Sequence, residues 1–360
     1  MLSAALALLV ATSLGSAGSL TPPPGPPVPT MKTLAEIEPR IAVNNVNTPP
    51  DANALFNITQ PGSYYLAGNV AGVTGKMGIE ISTDSVTLDL MGFQLAGIPG
   101  SLDGIHVTSE LFSPRKGVTI LNGVIRNWGW AGVNLDIATG GRLYNLIALG
   151  NGGAGLEAGP ESTIEACTAG ENGQLGFFVG SSSVVTGCSS HGNTSSGFQI
   201  SDGVIISNST AVGNLEHGIY AFNGRTTITG CTILGNTING IRDSEGSVIV
   251  NNSVGLNGKD GIEVTSSSLV LGNVCHRNGT TTPDGAGIHA VTVVGSGQNR
   301  IEGNNLTGND LGLNVDSTGN LVIKNSARGN ATAYDVVAGN DVGPIGTAST
   351  STSPWANISF

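Results

Sequence analysis

A repeat of 21 or 22 residues runs through the centre of this chain and restricts the folds that it can adopt. Each repeat begins with a glycine that is followed by a bulky apolar residue; the starting glycines are Gly155, Gly176, Gly197, Gly218, Gly240 and Gly261. A fixed period of this length is typical of solenoids, in which no repeat can bury its apolar face without its neighbours. The sequence therefore predicts a stack of similar coils.

Three columns of the repeat indicate which solenoid it is. Two columns are apolar, and an asparagine stands near the end of each repeat, at Asn172, Asn193, Asn214, Asn236, Asn257 and Asn278. Short alternating runs separated by Gly, Asn and Ser are typical of strands joined by tight turns. The L-x-x-L-x-L pattern of leucine-rich repeats and the six-residue period of left-handed β-helices are both absent. We therefore predict an all-β, right-handed parallel β-helix of about twelve coils, with three short strands per coil.

The two ends of the chain differ from the repeat. Residues 1–19 combine an apolar run with small residues, as in a signal peptide, and residues 20–31 form a proline-rich linker. An amphipathic segment over residues 32–40 predicts a short cap helix, within an N-terminal cap and first strands over 32–77. The β-helix is expected over 78–333 and a C-terminal cap over 334–360. We expect a secreted, periplasmic or cell-surface protein.

The charge of the chain argues against two classes of partner. The net charge is −11, and the 14 lysines and arginines are scattered singly along the sequence. Nucleic acids and anionic membranes bind clustered basic residues, so we expect neither as a partner. No second apolar stretch is long enough to span a bilayer, so no membrane insertion is expected after removal of the signal peptide.

The outer face of one sheet is where we expect function. Side chains alternate along a strand, so the residue two places after each starting glycine points outward, while its two neighbours point into the core. These residues and those just before the glycines form a polar stripe with aromatic members, which suits sugar rings and hydroxyl groups. Its richest part spans four neighbouring coils beside a loop that holds Asp284. This part comprises His217, Tyr220, Arg242, Asp260, Glu263 and His289.

Roles can be assigned within this stripe. We take Arg242, Glu263 and His289 as catalytic candidates. The substrate-binding candidates are His217, Tyr220, Asp260, Asp284 and Phe178. An alternative is that Arg242 and Glu263 form only a surface ion pair, which stabilises little. No metal-ligand spacing occurs, so no metal site and no cofactor are assigned, although Asp260 and Glu263 leave calcium open.

Several motifs resemble a known superfamily. The G-Φ-x-Φ strand, the Φ-x-x-N/C ladder and the late asparagine resemble the repeats of the pectate-lyase-like superfamily of right-handed parallel β-helix proteins, over residues 78–334. The ends, TLAEIEPR, QPGSYYLAGNV and SPWANISF, resemble those of a group of secreted bacterial β-helix proteins. The resemblance implies the fold and places substrates on the outer face of the sheet begun by these strands. It does not choose between lyases, glycosidases, epimerases, esterases and non-catalytic adhesins. The Asp-Pro-His-Asp motif of alginate epimerases is absent.

Three functions therefore remain open at this stage. The first is an exported protein that binds, and in a further step processes, a polysaccharide or cell-surface glycan along the stripe. The second is a non-catalytic structural or adhesive surface protein. The third is a polysaccharide lyase or glycoside hydrolase centred on Arg242, Glu263 and His289.

Overall fold

The computed structural model describes residues 38–109, 113–281 and 283–360. Across these ranges the chain consists of strands and turns, with no helix assigned. Residues 40–360 form one compact unit. No helix among the described residues is long and apolar enough to cross a membrane. The expected signal peptide and linker, and most of the expected cap helix, lie outside the described residues.

One sheet, here called sheet 1, contains thirteen parallel strands, each contributed by a different coil. This number is one more than the twelve or so coils expected. The strands of sheet 1 are Ala54–Ile58, Met77–Ile81, Ile105–Val107, Val133–Leu135, Leu156–Ala158, Phe177–Val179, Phe198–Ile200, Ile219–Ala221, Ile241–Asp243, Ile262–Val264, Ala286–Ala290, Leu311–Val315 and Thr332–Val336.

The second sheet, sheet 2, contains 26 strands in two parallel rows that share the eight-residue strands Thr119–Arg126 and Arg142–Leu149. The first row further comprises Ile41–Ala42, Gly62–Tyr65, Val86–Asp89, Thr163–Glu165, Val184–Thr186, Ile205–Ser207, Thr227–Thr229, Val248–Val250, Leu269–Leu271, Arg300–Glu302, Leu321–Ile323 and Asp341–Val342. The second row further comprises Val70–Ala71, Gln94–Ala96, Thr168–Gly170, Ser189–His191, Thr210–Val212, Thr232–Leu234, Ser253–Gly255, Val274–His276, Asn305–Thr307, Ser326–Arg328, Ile345–Gly346 and Asn357–Ser359. Together with sheet 1, the two rows give three strands per regular coil, as expected.

Like residues lie over like residues along the stack. Phe177 pairs with Phe198 in register, and their rings stack with centroids 4.6 Å apart and planes within 8°. Both rings are fully buried, as is Ile219 on the following strand. Burying such side chains stabilises the fold by about 2 kcal/mol each. The all-β parallel β-helix predicted from the repeat is therefore confirmed.

The late asparagines form a buried ladder inside a turn. The Asn193 side chain donates through Nδ2 to Oδ1 of Asn214 at 2.9 Å, and its own Oδ1 accepts from Asn172 at the same distance. The backbone N–H of each asparagine also donates to the side-chain oxygen of the next. The coils from Asn151 to Asn330 are thereby hydrogen-bonded to their neighbours through groups that are costly to bury unpaired.

The starting glycines are required by this ladder. A Cβ atom at Gly197 would lie 2.7 Å from both the Gly218 carbonyl oxygen and Nδ2 of Asn214. A Cβ at Gly240 would meet the equivalent atoms of Gly261 and Asn257 at 2.6 and 2.7 Å. No side chain fits where the turn passes so close to the next coil, and this explains the period of the glycines.

Candidate functional site

The outer face of sheet 1 brings most of the predicted residues into one column. Strand register places Phe178, Gln199, Tyr220, Arg242, Glu263 and His289 on six successive strands. Ile219 and Ala221 are buried on either side of the half-buried Tyr220, which agrees with the expected alternation. We use the name Tyr220 patch for His217, Tyr220, Arg242, Lys259, Asp260, Glu263 and His289.

Aromatic and cationic groups meet at one end of the Tyr220 patch. The Tyr220 ring centroid lies 5.4 Å from that of His217 and 6.2 Å from that of Phe222. The Arg242 guanidinium carbon lies 5.3 Å from the same Tyr220 centroid, within range of a cation–π interaction. Tyr220 is thus held by three neighbours and presents a fixed polar and aromatic surface.

The Glu263 carboxylate is nearly buried, and both of its oxygens have polar or charged partners. Arg242 Nε lies 3.1 Å from its Oε1, and Lys259 Nζ lies 3.2 Å from its Oε2. Asn239 also donates to Oε2 through Nδ2 at 2.8 Å. A carboxylate with a 9% exposed side chain needs such partners, because an unpaired buried charge is costly. The Arg242–Glu263 pair is therefore part of a network.

His289 lies between two carboxylates. Its Nδ1 is 3.1 Å from Oδ2 of the fully buried Asp260, and its Nε2 is 2.9 Å from Oδ2 of Asp316. Oδ1 of Asp260 accepts a hydrogen bond from the Ala286 N–H at 2.8 Å. Burial alone would lower the pKa of His289, but the Asp260 and Asp316 carboxylates outweigh burial and raise that pKa above its ordinary value. The two carboxylates therefore stabilise the imidazolium form of His289.

His217 has the opposite electrostatic environment. Burial, and then the positive charge of Arg242, lower the pKa of His217 to about 4. Its Nδ1 accepts a hydrogen bond from the Asn239 N–H at 3.4 Å. The imidazole is therefore neutral at physiological pH, with its proton on Nε2 and its lone pair on Nδ1.

Three ligand-type groups converge on the same side of sheet 1. Asp260, Glu263 and His289 each offer one atom, and these atoms lie within 4.8 Å of one another. However, the Lys259 ammonium lies 3.2 Å from both Asp260 Oδ2 and Glu263 Oε2. The chain thus places its own positive charge against both carboxylates, and a metal ion would have to displace it.

Two predicted residues are not bonded to this network in the described part of the chain. Asp284 is exposed in its loop, and no hydrogen bond or ion pair joins it to the described residues of the Tyr220 patch. Phe178 belongs to the same column but is three strands from Arg242. Sequence reasoning missed Lys259 and Asp316. The signals were available, since Lys259 directly precedes Asp260 and Asp316 directly follows a sheet 1 strand.

Comparison with known families supports the fold. The model of a family described as right handed beta helix region matches residues 73–204, 104–254 and 200–332. No curated protein sequence matches the chain.

Solved structures with the same architecture include the A-module of the mannuronan C-5 epimerase AlgE4 from Azotobacter vinelandii. It shares 19% identity at a TM-score of 0.63, over 78% of this chain and 91% of that one. The A-module of AlgE6 from the same organism shares 16% identity at a TM-score of 0.55, over 89% of this chain and 88% of that one. ORF18 of Geobacillus virus E2 shares 14% identity at a TM-score of 0.51, over 67% of this chain and 52% of that one. At these identities the likeness shows the fold alone.

Proposed function

The chain belongs to the family of right-handed β-helix proteins, and from this premise we propose that it binds an extracellular polysaccharide along the outer face of sheet 1. The observation that carries the proposal is the in-register column that runs from Phe178 to His289. Its groups recur at the strand spacing of about 4.8 Å, so a chain molecule lying along the stack contacts several of them at once. Two structurally similar proteins are called mannuronan C-5 epimerases, and mannuronan is a polysaccharide; this supports the choice of ligand.

The Tyr220 patch has the chemistry that such a ligand needs. The Tyr220 ring offers an apolar face, and the half-exposed Arg242 offers N–H groups to hydroxyl or carboxylate oxygens. A cleft of about 560 Å³ opens beside Arg242, with Phe222, Glu245 and Val294 among its lining residues. A sugar unit can therefore sit against the column instead of lying on a flat surface.

Local charge differs from the charge of the whole chain. Arg242 and Lys259 balance Asp260 and Glu263, although the net charge of the protein is −11. The patch consequently repels an acidic polysaccharide much less than the rest of the surface does. Both neutral and uronate polymers belong in the binding test.

A second candidate function is that of a lyase acting on a uronate polysaccharide. The observation that favours it is the neutral, buried His217 close to the Arg242 guanidinium and the Tyr220 ring. Arg242 can neutralise the substrate carboxylate while His217 Nδ1, in place of its 3.4 Å hydrogen bond from the Asn239 N–H, accepts the proton from the adjacent carbon. The electron pair of that C–H bond forms the new C=C bond, the glycosidic C–O bond breaks, and the leaving oxygen takes a proton from water. His289 stands about 14 Å from His217, three strand spacings away, so it cannot act on the same bond. A catalytic role of His289 would instead involve Glu263 on the adjacent strand.

Titration calorimetry with a panel of neutral and uronate polysaccharides tests the proposal. Tyr220→Ala and Arg242→Ala should weaken binding about tenfold or more. Arg300→Ala is the matched control, because Arg300 is also ion-paired and about equally exposed (47% against 46%) but lies on sheet 2. Unsaturated or newly reducing ends would reveal turnover in the same samples. Absence of binding to every polymer, or binding that both patch variants leave unchanged, would exclude the proposed site.

A further inference from the structure

A second concave site lies on the same face of sheet 1, several coils before the Tyr220 patch. The cleft has a volume of about 290 Å³, and its side-chain walls come from Asp103, Trp130, Asn134, Glu157 and Gln174. The Trp130 indole is 60% exposed, whereas Trp128, two residues earlier, is buried in the core. We call this site the Trp130 cleft.

The floor of the Trp130 cleft is fixed by a buried carboxylate. Asp103 Oδ1 accepts a hydrogen bond from the Ala131 N–H at 2.8 Å, and Oδ2 lies 2.8 Å from His106 Nδ1. Asp103 and His106 therefore pair much as Asp260 and His289 do in the Tyr220 patch. The cleft has a rigid polar base that needs no rearrangement to receive a ligand.

Two glycines beside Trp130 allow neighbouring coils to approach closely. A Cβ on Gly152 would lie 2.3 Å from the Gly129 carbonyl oxygen, and one on Gly153 would lie 3.0 Å from the Trp130 carbonyl carbon. This wall is consequently bare backbone. A ring lying on the indole meets no side chain from that side.

The charge of the Trp130 cleft differs from that of the Tyr220 patch. No lysine or arginine lines it among the described residues. Burial, followed by the nearby Asp136 and Asp103 carboxylates, raises the pKa of Glu157 to about 7. A cleft that is lined by two carboxyl groups and by no lysine or arginine disfavours a carboxylate ligand.

We propose that the Trp130 cleft binds an uncharged sugar ring, which stacks on the Trp130 indole and bonds to Asn134, Glu157 and Gln174. An exposed indole gives a flat apolar surface for the C–H face of a pyranose, and the amide and carboxyl groups can donate to and accept from its hydroxyls. The choice of a sugar rests on the proposed function, because register connects Glu157 to Tyr220 through Phe178 and Gln199. The two sites are about 14 Å apart along one column, which one glycan can span.

Intrinsic fluorescence isolates this site, because the protein has only three tryptophans. Trp355→Phe removes the exposed C-terminal one, and Trp128 is buried, so ligand-dependent emission of this variant reports on Trp130. The probes are maltotriose, cellotriose and mannotriose, with trigalacturonate as the acidic comparison. We expect saturable quenching by at least one neutral trisaccharide and at least tenfold weaker binding of trigalacturonate.

Calorimetry with variants then separates the two sites. Trp130→Ala should weaken binding of the neutral trisaccharide about tenfold, and Gln174→Ala, a substitution at an exposed side chain, should also weaken it, while Arg300→Ala on sheet 2 leaves it unchanged. Overturning results are no quenching by any neutral trisaccharide, equal affinity for trigalacturonate, or trisaccharide binding that is lost in Arg242→Ala but kept in Trp130→Ala. That last pattern would leave the Tyr220 patch standing. Failure of the Tyr220 patch alone would appear as polysaccharide binding insensitive to Tyr220→Ala and Arg242→Ala.

Discussion

Replacing Glu157 by glutamine should stabilise the protein, and the gain should depend on pH. In the unfolded chain this carboxyl loses its proton near its ordinary pKa of 4.5, whereas in the folded chain it keeps the proton until about pH 7. The folded state therefore binds more protons between these values, so the free energy of unfolding falls as pH rises through them. Above pH 7 the full cost of the buried carboxylate is present.

The size of this cost follows from the interval between the two pKa values. It corresponds to about 3 kcal/mol, which screening at a partly exposed group reduces to about 2 kcal/mol. Glutamine keeps the shape and hydrogen-bonding capacity but cannot ionise. We expect Glu157→Gln to leave the unfolding free energy nearly unchanged at pH 4 and to raise it by about 2 kcal/mol at pH 8.

Urea denaturation followed by circular dichroism at pH 4, 6 and 8 measures the effect. Glu165→Gln is the control, because Glu165 is an exposed glutamate on sheet 2 and its substitution should change little at any of these pH values. A gain of equal size at pH 4 and pH 8 would refute the reasoning, as would a loss of stability at pH 8. Either result would mean that burial and the carboxylates around the Trp130 cleft do not raise the pKa of Glu157 as described.

Three further predictions concern the ladder, the histidines and the lysine. Asn214→Ala deprives the buried Asn193 of the acceptor for its N–H and Nδ2, so urea denaturation should show a loss of about 3 kcal/mol; a loss below about 0.5 kcal/mol would contradict the ladder. In an NMR titration His217 should titrate near pH 4 and His289 above the ordinary histidine range; a reversed order would contradict the assigned environments. Lys259→Ala leaves the Asp260 and Glu263 carboxylates without their ammonium partner, so calcium should raise the Tm of the variant but not of the wild type. An equal rise in both would mean that the Lys259 ammonium does not exclude a metal ion from the two carboxylates.

Sequence was sufficient for the fold because the physical constraint repeats. A glycine recurs at positions such as 197, where a Cβ would collide with the next coil. An asparagine recurs at positions such as 193, where a buried amide must find its hydrogen-bond partner. Each requirement is imposed again at every coil, so it appears as a period of 21 or 22 residues. The rule of alternating side chains then fixed which residues face outward, and the half-buried Tyr220 between two buried neighbours follows it.

The candidate site was less accessible to sequence reasoning, because it depends on where long side chains reach. The column of Arg242, Glu263 and His289 follows from strand register, but the position of the Lys259 ammonium between two carboxylates does not. Asp284 was expected beside the patch; it is exposed in its loop, and its position relative to the patch stays a prediction. Asn134 and Glu157 of the Trp130 cleft lie in the outward column of sheet 1. The cleft was missed because Trp130 and Gln174 lie in turns, outside the columns that the repeat defines.

A crystal structure with a bound oligosaccharide of the best-binding polysaccharide tests the central claim most directly. We expect the sugar units to lie on the outer face of sheet 1, with one ring against Tyr220 and within hydrogen-bonding distance of Arg242. An oligosaccharide bound only to sheet 2 or to the C-terminal turns would contradict the claim.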